Sequence, residues 1–206
     1  MPLKMEKKSQ VWVETVIYTL IGIVLIGTVL ALATPFINEQ KDKAIIERTT
    51  NSLNQLDNVI INIKNLGVGN KREFNFLIGK GTMTIDGERD EIIFRFDESN
   101  YKYSEELVTI DISGTNLKAR TGKSGKKFNI VFSLNYRDKV NITYNGEDIS
   151  KTFSYAPNPY KFIIENKGKI PSTISCSDSS PCSEPYLCSG GKCIPKFSNI
   201  NIIEIS

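Results

Sequence analysis

Between residues 11 and 36 the chain is almost wholly apolar, broken only by Glu14 and a few Thr, Tyr and Gly residues. The uncharged part, residues 15–36, has the length of about 20 residues that a bilayer-spanning helix requires. Lys4, Lys7 and Lys8 precede it against a single acid, Glu6, so the excess of positive charge is expected to hold that end in the cytoplasm. Everything after the span then faces outward, and the fold of the remaining residues must be one that works outside the cell.

The cysteines agree with that side. Cys176, Cys182, Cys188 and Cys193 stand together in one short stretch with none elsewhere, as expected of two local disulfides formed in an oxidising compartment. Three pairings are open. A zinc site is the rival reading, but the spacings lack the paired C-x2-C knuckles that structural zinc sites use, so no metal is expected, and no cofactor. The chain has no histidine, which removes the commonest general base and the commonest transition-metal ligand. A net charge of +3, with acids and bases interleaved, argues against a nucleic-acid surface.

A secretory signal would have a shorter apolar core ending in a small-x-small cleavage site; here the run is longer and Leu32-Ala33-Thr34-Pro35 is a poor site. An uncleaved single-pass anchor would account for the length. It would not account for Glu14, a carboxylate near the start of an apolar span, where a charge needs a partner or must snorkel to the interface.

The segment from Lys7 to Tyr18, KKSQVWVETVIY, resembles the class III signal of archaeal type IV pilins: a basic leader, a cut before Gln, and a Glu four residues later opening the apolar helix. Trp12 stands where that head usually has Ser, Tyr18 where it has Leu, and Ser9 where Gly or Ala precedes the cut. The resemblance implies processing by a prepilin peptidase at Lys7, Lys8, Ser9 and Gln10, with cleavage between Ser9 and Gln10 so that the helix survives. It further implies that Glu14 pairs with the new amine of Gln10 on an identical or related subunit, a charge moved from lipid into a protein core being tolerable only when paired. The implied partners are other pilin subunits, the peptidase, the membrane and an assembly machinery.

Residues 37–64 hold no Gly or Pro and are expected to continue the helix past a kink at Pro35. Ile46, Thr49, Leu53, Leu56, Ile60 and Ile63 recur at steps of three and four, an apolar stripe for packing on the protein's own β-domain, on neighbouring subunits, or on both along different turns. Gly67-Val68-Gly69-Asn70 gives a C-cap and turn. It lacks the preceding strand and third Gly of a nucleotide loop, and Gly122-Lys123-Ser124 is no P-loop because Leu117 occupies the place of its first Gly.

From Phe74 on, apolar residues alternate with polar ones in segments around 74–78, 92–96, 108–112, 128–134 and 140–144, with turn signals at Asp86-Gly87 and Asn145-Gly146; further strands are expected at 160–165 and 199–205. The predicted class is α+β: a long N-terminal helix followed by a small antiparallel β-sandwich. The expected boundaries are a leader at 1–9, a helix at 10–68 with its span near 11–36, a β-domain at 72–170 plus 196–206, and a cysteine-stapled loop at 171–195 inserted between the last two strands. That loop reads as a rigid contact knob or as protection of a long exposed connection. Asn141-Ile142-Thr143 is an N-glycosylation sequon. Asp86, Glu88, Asp90 and Glu91 cluster in sequence but flank a turn, where solvated acids are ordinary, so an extracellular enzyme is the weakest reading. The leading expectation is a non-enzymatic structural subunit, major or minor, of a surface filament for attachment. The alternative is a single-pass protein that never polymerises and presents its β-domain as a binding module.

Overall fold

A computed structural model of the chain describes residues 7–112, 114–169, 175–177, 180–182 and 186–205, with side chains from residue 12 on. Helix α1, Lys7–Leu66, is 60 residues long and passes through Pro35 without interruption. At 1.5 Å per residue such a helix is about 90 Å long. It ends where the sequence runs out of helix formers. Gly67 takes φ +92°, a conformation open to glycine. The last carbonyls are capped twice: Asn70 Nδ2 donates to Leu66 O and Gly67 O at 3.0 Å each, and Asn166 Nδ2, buried in the sheet, donates to Ile63 O at 3.2 Å and Lys64 O at 3.3 Å.

Among the described residues twelve strands follow: β1 (Lys71–Phe76), β2 (Thr82–Asp86), β3 (Glu91–Ser99), β4 (Thr109–Asp111), β5 (Leu117–Ser124), β6 (Lys127–Asn135), β7 (Asn141–Tyr144), β8 (Ser150–Ser154), β9 (Tyr160–Gly168), β10 (Tyr186–Ser189), β11 (Lys192–Pro195) and β12 (Asn199–Ile205). They form a four-stranded sheet in the order β1-β9-β12-β7, a six-stranded sheet in the order β4-β5-β6-β3-β2-β8, and the separate hairpin β10-β11. The α+β class stands. One pairing departs from the expected antiparallel sandwich: β12 lies parallel to β7, with Ile200 opposite Ile142 and Ile202 opposite Tyr144. Parallel partners need a long connection, and here the chain between them visits β8, β9 and the cysteine hairpin first.

The two large sheets and the upper half of α1 enclose one core. Ile92, Phe94 and Phe96 of β3, Ile130, Phe132 and Leu134 of β6, and Phe162 and Ile164 of β9 point inward with the period of two that strands impose. Against them lie Ile46, Leu53, Leu56, Ile60 and Ile63 of the helix, all buried. The stripe at steps of three and four therefore packs on the protein's own β-domain along its whole length from Ile46 to Ile63. Thr50, also buried on that face, returns its hydroxyl to Ile46 O at 2.9 Å, so its own donor is satisfied.

The Asn145-Gly146 turn forms, with φ of 51° and 88° and Tyr144 and Glu147 exchanging N–H···O bonds of 2.9 and 3.1 Å. It does not close a hairpin of paired strands. It hands the chain from β7 in one sheet to β8 in the other. The Asp86-Gly87 signal starts the β2–β3 connection, and the reason for a glycine is spatial: a Cβ at Gly87 would sit 3.0 Å from Asp148 Cα and 3.1 Å from Ile142 O. Val108, expected to face inward at 108–112, is exposed, because β4 shrinks to three residues at the sheet edge.

Candidate assembly surface and cysteine loop

The helix has two regimes, and the boundary between them is sharp. Above it the inward face of α1 is covered by sheet. Below it, from Trp12 to Ile37, no large apolar side chain is covered: Trp12 is 77% exposed, Leu32 74% and Phe36 62%. Among the described residues this is the one helix long and apolar enough to cross a membrane. Three of its threonine hydroxyls are satisfied within it, Thr19 Oγ1 donating to Thr15 O at 2.7 Å, Thr28 to Val24 O at 2.8 Å and Thr34 to Leu30 O at 2.7 Å. A threonine that bonds its own i−4 carbonyl presents a methyl group outward and can enter lipid or a protein core without an open donor.

Glu14 lies in this exposed half, near its start. Lys7, Lys8, Ser9 and Gln10 belong to the first turns of α1, and their side chains fall outside the described residues, as do residues 1–6 of the expected leader. The geometry thus presents a bare apolar rod that begins next to one acid and ends at the base of a folded domain.

The boundary is built at Asp42, a residue that sequence reading passed over. Its carboxylate is buried: Oδ2 accepts the backbone N–H and the side-chain amide of Asn100 at 2.7 Å each, and Oδ1 accepts Lys80 Nζ at 3.0 Å. Burial alone would raise this carboxyl, but the Asn100 N–H, the Lys80 ammonium and the Asn100 amide outweigh it and hold the group below its ordinary value. Lys80 also stands over the Phe96 ring at 4.6 Å, and Lys43 over Tyr101 at 5.8 Å. Fifteen residues further on, Asp57 accepts the hydroxyl of fully buried Tyr136 at 2.9 Å. Burial, with the Asp57 charge and hydrogen bond acting in the same direction, raises the Tyr136 phenol well above its usual value, so it remains a donor. Two polar rivets therefore fix the rod to the domain. No sequence pattern marks them, because an acid on a polar-looking helix face reads as solvated until its partners, 58 and 79 residues away, are known.

At the other end of the domain the cysteines form two bridges, Cys176–Cys188 and Cys182–Cys193. The sulfurs of Cys176, Cys182 and Cys188 lie within 4.8 Å of one another, but every cysteine is consumed in a bridge, so none is left as a thiolate for zinc. The core of the loop is the hairpin β10-β11, turned at Gly190-Gly191, which places Cys188 opposite Cys193. Each strand of the hairpin is tied to a different upstream cysteine. The hairpin lies in the chain between β9 and β12, which pair directly with each other.

Two of the acids near the β2–β3 turn have structural partners. Asp86 Oδ1 accepts Arg89 N–H at 3.2 Å, and Asp90 Oδ1 accepts Ile142 N–H at 2.7 Å, tying the turn to β7. Asp90 borders an open depression of about 370 Å³ with Glu88, Asp138 and Asp148. Burial raises its carboxyl; the charges of Asp148 and Asp138 add to that, against the Ile142 N–H and Arg137. Asn141, the sequon residue, starts β7 with Nδ2 donating to Asn199 Oδ1 at 2.6 Å, and Thr143 is buried with its hydroxyl on Asn201 Oδ1 at 3.2 Å.

No family model, curated protein or solved structure matches the chain.

Proposed function

We propose that this chain is a structural subunit of a type IV pilin-like surface filament, processed before Gln10 and assembled through the exposed half of α1. The observation that carries the reading is the asymmetry of one continuous helix, Lys7–Leu66: its upper half is used up by the protein's own core and its lower half has no partner among the described residues. A membrane-spanning rod supplies a reservoir for the subunit before assembly. The same rod, bundled with copies of itself, buries its apolar surface afterwards. Glu14 then serves as the register mark, its charge neutralised by the amine that cleavage exposes. The β-domain and its stapled loop form the outer surface, where attachment takes place.

N-terminal sequencing of protein from native membranes and from sheared surface material tests this directly. The expected result is a chain beginning at Gln10, present in the sheared fraction, with Glu14→Ala still inserted in the membrane but missing from that fraction. A chain that retains the segment before Gln10 and never leaves the membrane favours the non-polymerising anchor with a β-rich binding domain.

A further inference from the structure

We propose that the β5–β6 hairpin tip, Lys123 to Lys127, rests on anionic lipid headgroups of the leaflet from which the domain emerges; this rests on the membrane-spanning reading of α1. The direction of the strands comes first. Asn100, one residue past β3, is bonded to Asp42, and Tyr136, one residue past β6, is bonded to Asp57. Those helix positions are about 22 Å apart at 1.5 Å per residue. The matching path along β6, from Phe128 opposite Ser99 up to Tyr136, is about 27 Å at 3.4 Å per residue. The strands of the six-stranded sheet therefore run broadly along the helix, and their Ser99 and Phe128 end points toward the apolar rod.

Next comes the level. The apolar exposure of α1 reaches Ile37, five residues before Asp42, which is about 7 Å along the axis. From the level of Phe128 the β5–β6 ladder continues through Ser124 opposite Lys127 to its turn at Gly125 and Lys126. Two strand residues add about 6 Å in the same direction. The tip thus comes down to within a few ångströms of the end of the membrane-spanning surface, a level inside the headgroup layer where lipid phosphates lie.

Last comes charge. Lys123 and Lys126 are exposed and, among the described residues, form no ion pair; nearby, Glu98 is held by Lys127 at 3.5 Å and Asp42 by Lys80 and Asn100, which leaves Asp97 as the one exposed acid on this end of β3 against two ammonium groups. On the helix at this level Glu39 and Lys41 offset each other. A turn of Ser, Gly and Lys, with two free ammonium groups and no apolar side chain, suits a phosphate surface and would gain nothing from burial in hydrocarbon. Together with the Asp42 rivet, such a footing holds the domain at a fixed angle to the bilayer before assembly.

The test uses the full chain in lipid nanodiscs, either of phosphatidylcholine alone or containing phosphatidylglycerol. An impermeant amine-acylating reagent is applied, and labelling at each lysine is read by peptide mass spectrometry. Lys139, exposed at the far end of the domain, is the reference. The expected result is protection of Lys123 and Lys126 by about fivefold in the anionic discs, relieved by salt, the ratio expected for a basic residue at an anionic surface. Lys139 should react equally in both. Equal labelling of the tip in the two lipids overturns the proposal, and so does protection that appears in both and grows with the number of chains per disc, which would assign the tip to a neighbouring copy. Chain that fails to enter discs of either kind sinks the membrane-spanning reading instead.

Discussion

Replacing Asp42 by Ala is the sharpest probe of how rod and domain are joined. The substitution removes the acceptor for the Asn100 backbone N–H, the Asn100 amide and the Lys80 ammonium at one stroke. The Lys80 pair is partly exposed and contributes about 0–1 kcal/mol. A backbone donor left without a partner in a part-buried site costs about 1–3 kcal/mol, and the second Asn100 bond adds a fraction of that because its amide can turn to water. The expected loss is about 3 kcal/mol, or a fall in Tm of roughly 6–12 °C for a domain of this size. Asp42→Asn keeps one oxygen for the Asn100 N–H and should lose about half as much. The pH dependence fixes the sign. Because the folded-state carboxyl is held below its unfolded value, its contribution is complete above the ordinary carboxylate range and fades as pH falls through the lowered value. Asp42→Asn should therefore flatten the acid side of the stability profile, leaving what Glu165, also lowered by its Lys167 and Lys71 partners, still contributes. Thermal unfolding of the full chain in detergent, followed by near-ultraviolet circular dichroism between neutral and acid pH, measures both effects. An Ala variant within about 1 kcal/mol of the parent, or an Asn variant with unaltered acid sensitivity, would refute the reasoning.

Three further outcomes are expected. Leu53→Ala should cost the β-domain about 2–5 kcal/mol, whereas Leu25→Ala, on the bare half of the helix, should change its unfolding by less than about 0.5 kcal/mol; parallel melts of the two variants check the division of α1. Reducing Cys176–Cys188 and Cys182–Cys193 should open the loop to proteases while leaving the main unfolding transition nearly in place, because β10 and β11 form a sheet of their own, separate from the two large sheets; limited proteolysis alongside calorimetry reads this. A glycan on Asn141 would displace its 2.6 Å bond to Asn199, so the intact mass of folded protein should show none, and Asn141→Ala should lower stability by about 1 kcal/mol.

The parts of the fold that were legible in the sequence are those written in local periodicity. The steps from Ile46 to Ile63 give the buried helix face, and Ile92, Phe94 and Phe96 give a strand whose alternate residues are all buried. The Gly67 cap and the pairing of the cysteines among themselves are equally local. In the two large sheets three strands escaped for the opposite reason. β5 turns Leu117, Ala119 and Thr121 inward, and small or polar residues leave hardly any alternation to see; β8 buries only Phe153, and β2 is five residues long. The parallel partnership of β7 and β12 was out of reach because a strand's own pattern says which face is buried and nothing about its neighbour. For the candidate surface, the bare rod and Glu14 could be read directly. The rivets at Asp42 and Asp57 could not, since their partners come from distant strands.

The position of β12 bears on how such a molecule could reach the outside of a cell. Residues 199–205 fill an interior slot of the four-stranded sheet, hydrogen-bonded on both flanks to β9 and β7. In the outward topology proposed above, the sheet has a gap down its middle until that segment has been translated and exported, and the contacts that close it span long stretches of sequence and form slowly. The polypeptide would then pass through a translocation channel as a pliable thread, and the domain would harden only after its final staves had arrived on the far side.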